Sequence, residues 1–249
     1  MFKPLVLSAA LGAAVLAAPA LSEGLTDMTD AERAAFGEEV RAYLLENPEV
    51  LMEAIGVLET REQQAQAQGD QQLVATHADA LFDDGYSWVG GNPDGDVTMV
   101  EFLDYRCGYC RRAHPEVQQL IDSDGDVRLI VKEFPILGEE SLNASRYAIA
   151  THIALGDEAY GTLHDALMTQ NVEMTDDGLS SLATELGLDA DAIAASLDDP
   201  EVARRIAETR ALGQEMGING TPSFVIGDQM VRGYVPLDAM QEIVAEERG

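Results

Sequence analysis

The chain has 249 residues, 46% of them apolar, and a formal net charge of −30 from 45 acidic against 15 basic side chains. That apolar share suffices for a packed core, and so acidic a surface repels phosphate backbones and anionic lipid, which argues against nucleic acid as a partner. Solubility alone accounts for the charge.

The first 22 residues carry one cation, Lys3, an apolar run from Leu5 to Ala18 and the small residues Ala18-Pro19-Ala20. This is the layout of a secretory signal peptide, with cleavage expected near Ala20 or Ser22. The run is too short to span a bilayer comfortably, and no later run is long and apolar enough, so no membrane insertion is expected. The remaining chain, roughly 225 residues, has room for one elaborated domain or one domain plus a smaller one, in an oxidising compartment.

Thr29 to Asn47 reads as a helix: Thr29 and Glu32 form a capping-box pair, and Phe36, Val40, Tyr43 and Leu44 keep helical spacing. A second helix starts at Pro48 with Val50, Leu51, Ala54, Ile55 and Leu58 on one stripe. Two short amphipathic helices must dock on the main domain or on another copy of the chain. Leu44, Leu51 and Leu58 recur at seven, which suits helix pairing. The glutamine-rich Arg61–Gln72, with Gly69 inside, reads as a bendable linker. Leu73–Phe82 reads as a further helix.

Gly90–Asp96 is a turn, and Val97–Leu103 (VTMVEFL) a buried strand. A helix from Cys107 to about Ile121 and a strand Val127–Phe134 complete a βαβ unit with parallel strands. From Ser141 to Met216 only helices are expected, at Ser141–Leu155, Glu158–Gln170, Thr175–Leu186, Asp189–Leu197 and Glu201–Met216. A hairpin at Ser223–Tyr234 and a helix Leu237–Glu247 close the chain. The economical reading is an α/β sheet interrupted by a helical insertion.

Cys107 and Cys110 are the only cysteines, two residues apart in FLDYRCGYCRRAHP. A structural bridge would close too small a loop to stabilise much. Zinc needs four ligands; no second CxxC exists, and the helix should carry His114 away. Copper(I), content with two thiolates at Cys107 and Cys110, is an open alternative. Redox exchange fits best, because a helix N-terminus favours the thiolate at Cys107 while Cys110, one turn in, can resolve a mixed disulfide. Arg106, Arg111 and Arg112 are expected to add a favourable field, and Cys107 should titrate within the ~3.5–7.5 range of activated thiols. Glu101 shares a strand face with Val97, Met99 and Leu103, where it is either a buried proton-handling carboxyl or a strand-end acid open to water. Asp104, on the other face, reads as structural. Thr221-Pro222 suits a cis bond in a tight turn, beside backbone groups free to pair with a substrate, although composition alone would favour a trans turn proline.

Together these residues resemble the DsbA-like branch of the thioredoxin superfamily, over about Asp83 to Glu247. EFLDYRCGYCRRAHP and the leader VRAYLLENPEVLMEAIGVLETRE are similar to the suppressor-of-copper-sensitivity (ScsC) group. The resemblance implies a thioredoxin fold with an inserted helical domain, preceded by an N-terminal helical leader. It divides the chain into a signal peptide at 1–22, a helical, oligomerising segment with its linker at 23–68 and a thioredoxin domain at 69–249, with the insertion at about 139–216. It implies Cys107 as nucleophile, Cys110 as resolving cysteine, Pro222 as cis-proline and Glu101 as the buried acid. Thr221, Gly108 and Tyr109 would touch the substrate. No cofactor beyond the Cys107–Cys110 redox disulfide is implied. The implied partners are exported proteins with disulfides or thiols, a membrane redox partner, and two further copies of the chain in a trimer through residues 29–60. The implied place is the periplasm. Gly108-Tyr109 stands where DsbA oxidases commonly carry a histidine, which tilts the expectation from oxidase to isomerase or reductase.

Overall fold

The structure is a computed structural model that describes residues 28–249; the expected signal peptide lies outside them. The chain divides between Thr60 and Arg61 into two units. In the first, α1 (Asp30–Glu46) starts on the expected capping box: the Thr29 hydroxyl accepts from the Glu32 N–H, and the Glu32 carboxylate accepts from the Thr29 N–H at 2.9 Å. The stripe residues of this unit, among them Phe36, Tyr43, Leu51, Ile55 and Leu58, are exposed.

The second helix, α2, runs without interruption over Glu49–Thr76. Arg61–Gln72 is therefore helical, not a non-helical linker. Glutamine, alanine, glutamate and arginine are good helix formers, and one glycine costs only about 1 kcal/mol. The helix is also anchored in the second unit: Asp70 receives both arms of Arg232 at 2.7 and 2.8 Å, and Val74 is buried. A short α3 (Ala78–Phe82) follows.

Five strands form one sheet in the order β1-β3-β2-β4-β5. The centre is β2 (Val97–Leu103), parallel to β3 (Val127–Glu133) and antiparallel to β4 (Ser223–Ile226). Near-continuous apolar sequence is what a strand covered on both faces requires. One face of β2, with Met99 and Leu103, packs against α4 (Gly108–Asp124) and the helical insertion. The other face, with Val100 and Phe102, packs against Val74, Leu81, Leu212 and Met216. The insertion comprises α5 (Glu139–Leu155), α6 (Asp157–Thr169), α7 (Asp176–Glu185), α8 (Ala190–Ser196) and α9 (Pro200–Glu215). It enters between β3 and β4, as expected. The hairpin partner β5 (Gln229–Arg232) and α10 (Leu237–Arg248) complete the fold.

One strand differs from expectation. Part of the Gly90–Asp96 stretch read as a turn belongs to β1 (Trp88–Gly91), antiparallel to β3. Its glycines answer to packing: a Cβ on Gly90 would lie 2.3 Å from the Trp88 ring, and one on Gly91 (φ +65°) 2.4 Å from the Val127 carbonyl oxygen.

Candidate active site

The end of β2 and the start of α4 bring the reactive groups together. Cys107 is the N-cap of α4, with extended backbone angles, and its N–H donates to Asp104 O at 2.9 Å. Its sulfur therefore lies at the end of the helix where N–H groups lack intrahelical partners. The Cys107 thiol is held down at about 5, first by the Cys110 side chain, against the opposing effect of burial, then by the Thr221 side chain and the N–H groups of Cys110 and Tyr109. When protonated, Sγ donates to Thr221 O at 3.1 Å.

Cys110, fully buried, moves the other way: its hydrogen bond with Cys107, burial and the nearby Glu101 charge hold its thiol well above the ordinary value. One sulfur is thus ready to attack at neutral pH, and its neighbour keeps its proton until it is needed.

Glu101 is buried at 2% exposure, which decides between the two sequence readings in favour of the enclosed carboxyl. It pairs across the sheet with Val131 on one side and Phe224 on the other, and its Oε1 has no hydrogen-bond partner. Burial, followed by the charge on Cys107, raises it to about 8. A carboxyl so placed exchanges its proton near neutral pH.

The Thr221–Pro222 peptide bond is cis, and Pro222 O accepts from Gly233 N–H at 3.0 Å. Gly108 and Tyr109 form the first turn of α4. The Tyr109 ring is 61% exposed, at 6.3 Å from the Tyr234 ring. Tyr234 is itself fixed, donating to Glu116 Oε1 at 2.6 Å under the Arg112 guanidinium at 4.7 Å.

The three arginines do not act as expected. Arg106 pairs with Glu140 at 2.8 Å, Arg111 donates to the carbonyls of Leu167 in α6 and of Gln170 just after it, and Arg112 covers Tyr234. The second thiol, then the Thr221 side chain and the backbone N–H groups, not guanidinium charge, lead in holding the Cys107 thiol down. His114 is buried against His164 and paired with Asp165 at 2.9 Å. Among the described residues no group of three or more His, Cys, Asp or Glu is placed to hold a metal ion.

Sequence reasoning missed a second buried acid. Glu133, at the end of β3, accepts from Tyr105 at 2.8 Å and Tyr160 at 2.6 Å, and burial raises it to about 7. Alternation along β3 puts it on the face of Val127, Leu129 and Val131, so the logic applied to Glu101 would have found it.

A CxxC at a helix N-terminus, fed by the central parallel strand and facing the residue before a cis-proline, defines a thioredoxin-fold thiol–disulfide oxidoreductase. The chain belongs to the DSBA-like thioredoxin domain family, whose model matches residues 98–245. Residues 32–65 match the copper resistance protein ScsC N-terminal domain. Among solved structures, a thioredoxin-like oxidoreductase from Silicibacter pomeroyi is 45% identical, covering 68% of this chain and 96% of that one at a TM-score of 0.65. A linker-deleted ScsC mutant from Proteus mirabilis is 27% identical, covering 90% and 99% of the two chains at a TM-score of 0.66. A curated Na(+)/H(+) antiporter NhaA 3 from Salinispora tropica is 29% identical over 63% of this chain. The chain spans about a quarter of that relative's length, 24%. No helix among the described residues is long and apolar enough to cross a membrane.

Proposed function

We propose that the protein is a periplasmic thiol–disulfide oxidoreductase that isomerises or reduces disulfides in exported proteins. The observation that carries this reading is the pair of opposed thiols, Cys107 lowered to about 5 and Cys110 raised. The Cys107 thiolate attacks a substrate disulfide; a new S–S bond forms to Cys107, and the second substrate sulfur leaves as a thiolate. In isomerisation a substrate thiolate then attacks the mixed disulfide and returns Cys107 as a thiolate. In reduction Cys110 loses its proton to Glu101 and attacks Cys107 Sγ, releasing the second substrate thiolate and leaving the Cys107–Cys110 disulfide. A membrane redox partner would restore the dithiol in reduction. Thr221, Gly108 and Tyr109 border the attacking sulfur and would touch the substrate.

The thiol also bears on the direction of electron flow. A stabilised thiolate favours the dithiol over the disulfide form and so raises the potential. With its thiol lowered to about 5, this pair should be more oxidising than one whose thiol titrates near 7. A glutathione titration gives the potential; a value above about −150 mV would favour the alternative of a DsbA-type oxidase. The same low thiol is what favours that alternative. A copper(I)-binding protein is the reading from another class, favoured by two adjacent thiols and by the match to the ScsC N-terminal domain. Anaerobic copper(I) titration tests it.

Self-association through residues 29–60 belongs to the same proposal. The exposed stripe of Phe36, Tyr43, Leu51, Ile55 and Leu58 is too apolar for scattered surface residues, and Leu44, Leu51 and Leu58 keep a seven-residue spacing. The occupant is a second and third copy of the chain. Light scattering should give about three chain masses for the protein from residue 23 onward, and one for a chain starting at Arg61. Two monomeric masses would remove the basis for preferring an isomerase.

A further inference from the structure

We infer that Asp104 is the positioning residue for Cys107, holding the turn before α4 and the loop after β3 as a single rigid rim. Asp104 has no exposed surface, and no lysine or arginine pairs with it among the described residues. Its carboxyl is saturated by backbone instead. Oδ1 accepts from Arg106 N–H at 2.8 Å, two residues on. Oδ2 accepts from Ile136 N–H at 2.8 Å and Leu137 N–H at 3.0 Å, from the loop after β3. The main-chain oxygen of Asp104 accepts from Cys107 N–H at 2.9 Å.

One residue thus fixes both amides that lead into the attacking cysteine and two amides of a separate loop. The consequence for the sulfur is geometric. The groups that favour its thiolate, apart from the Thr221 hydroxyl, all sit on the first turn of α4: the Cys110 thiol and the N–H groups of Tyr109 and Cys110. Their aim depends on where Cys107 leaves the turn, and the Asp104 carboxyl sets that point. The loop it holds in place carries Ile136 and Leu137, 38% and 54% exposed. Arg210 steadies the same loop by donating to Pro135 O at 3.2 Å. Arg106–Glu140 also ties the rim, but as an exposed ion pair of the kind that contributes little. Removing the carboxyl leaves three amides without their acceptor, which is the costly way to lose a hydrogen bond.

Charge and position predict opposite signs. Groups facing Cys107 are Cys110 from α4, Glu101 from β2 and Thr221 from the cis-proline loop. If Asp104 acted only through negative charge, its loss would ease ionisation and lower the Cys107 pKa. If it positions the turn, its loss raises that pKa. The inference rests on Cys107 being the attacking thiol; the test reads the thiol itself, so its failure is separate from a failure of exchange activity.

Asp104→Ala and Asp104→Asn are made in the full chain, shown folded by thermal melting, and the Cys107 pKa is read from the pH dependence of alkylation. Asp104→Ala should raise it by about one unit, a tenfold slower alkylation at pH 4. Asp104→Asn, which keeps one oxygen acceptor, should raise it by about half a unit, a threefold slower alkylation at pH 4. Amide exchange at Ile136 and Leu137 should accelerate in both. If Asp104→Ala does not fold, the asparagine variant decides alone. A pKa that is unchanged or lowered in the folded variants overturns the inference, whatever happens to stability.

Discussion

Cys107→Ser should abolish insulin reduction and scrambled-ribonuclease refolding, a loss of several orders of magnitude that leaves only the background reaction. A serine hydroxyl at neutral pH is a protonated, weak nucleophile, whereas the thiol it replaces is held at about 5 and is almost wholly thiolate at pH 7. The helix N-terminus cannot compensate, because N–H groups stabilise an anion only once it can form. Cys110→Ser should behave differently. It leaves the attacking sulfur in place and should trap mixed disulfides with substrate proteins, which non-reducing gels resolve. Exchange that survives Cys107→Ser would place the chemistry elsewhere in the molecule.

Glu101→Gln should slow the Cys110 resolving step by about a hundredfold, at the low end of general base catalysis. Cys110 is protonated at neutral pH, and the buried carboxyl on the adjacent strand is the group able to take its proton. With Glu101 at about 8, the resolving rate should rise with pH through that value, and Glu101→Gln should flatten the rise. Quenched-flow decay of a preformed mixed disulfide gives this profile.

Stability should move in the opposite direction. An acid whose pKa is raised in the folded state contributes fully below its unfolded value, near 4.5, and loses that contribution as pH climbs through 8. Glu101→Gln should therefore be about 3 kcal/mol more stable than the parent at pH 7 and no more stable at pH 4. Denaturant melts at the two pH values show whether that difference appears. A gain in stability paired with a loss of rate is the mark of a buried charge retained for chemistry.

What the sequence made legible was local. The apolar run Val97–Leu103, the CxxC behind it and the capping box at Thr29 all depend on near neighbours, and each appears where its pattern put it. Thr221-Pro222 carried its signal in the adjoining turn, and the bond is cis. The features that were not legible depend on distant partners. β1 carries two glycines that read as a turn until β3 is laid beside them. Arg61–Gln72 reads as a linker by its polarity although its residues favour helix, and its anchor, Arg232, lies far along the chain. The arginines beside the cysteines are dense in sequence, yet Glu140, the end of α6 and Tyr234 engage them. Glu133 was legible by alternation, but its tyrosine partners, one of them in the insertion, were not.

The most direct test is the titration of Cys107, followed by thiolate absorbance or by alkylation rate from pH 3 to 10, with Cys110→Ser as a control for the second sulfur. In the parent protein the midpoint should fall at about 5. A midpoint near the free-thiol value of ~8.5 would contradict it, because the helix N-terminus and the buried second thiol would then give Cys107 no advantage as a nucleophile.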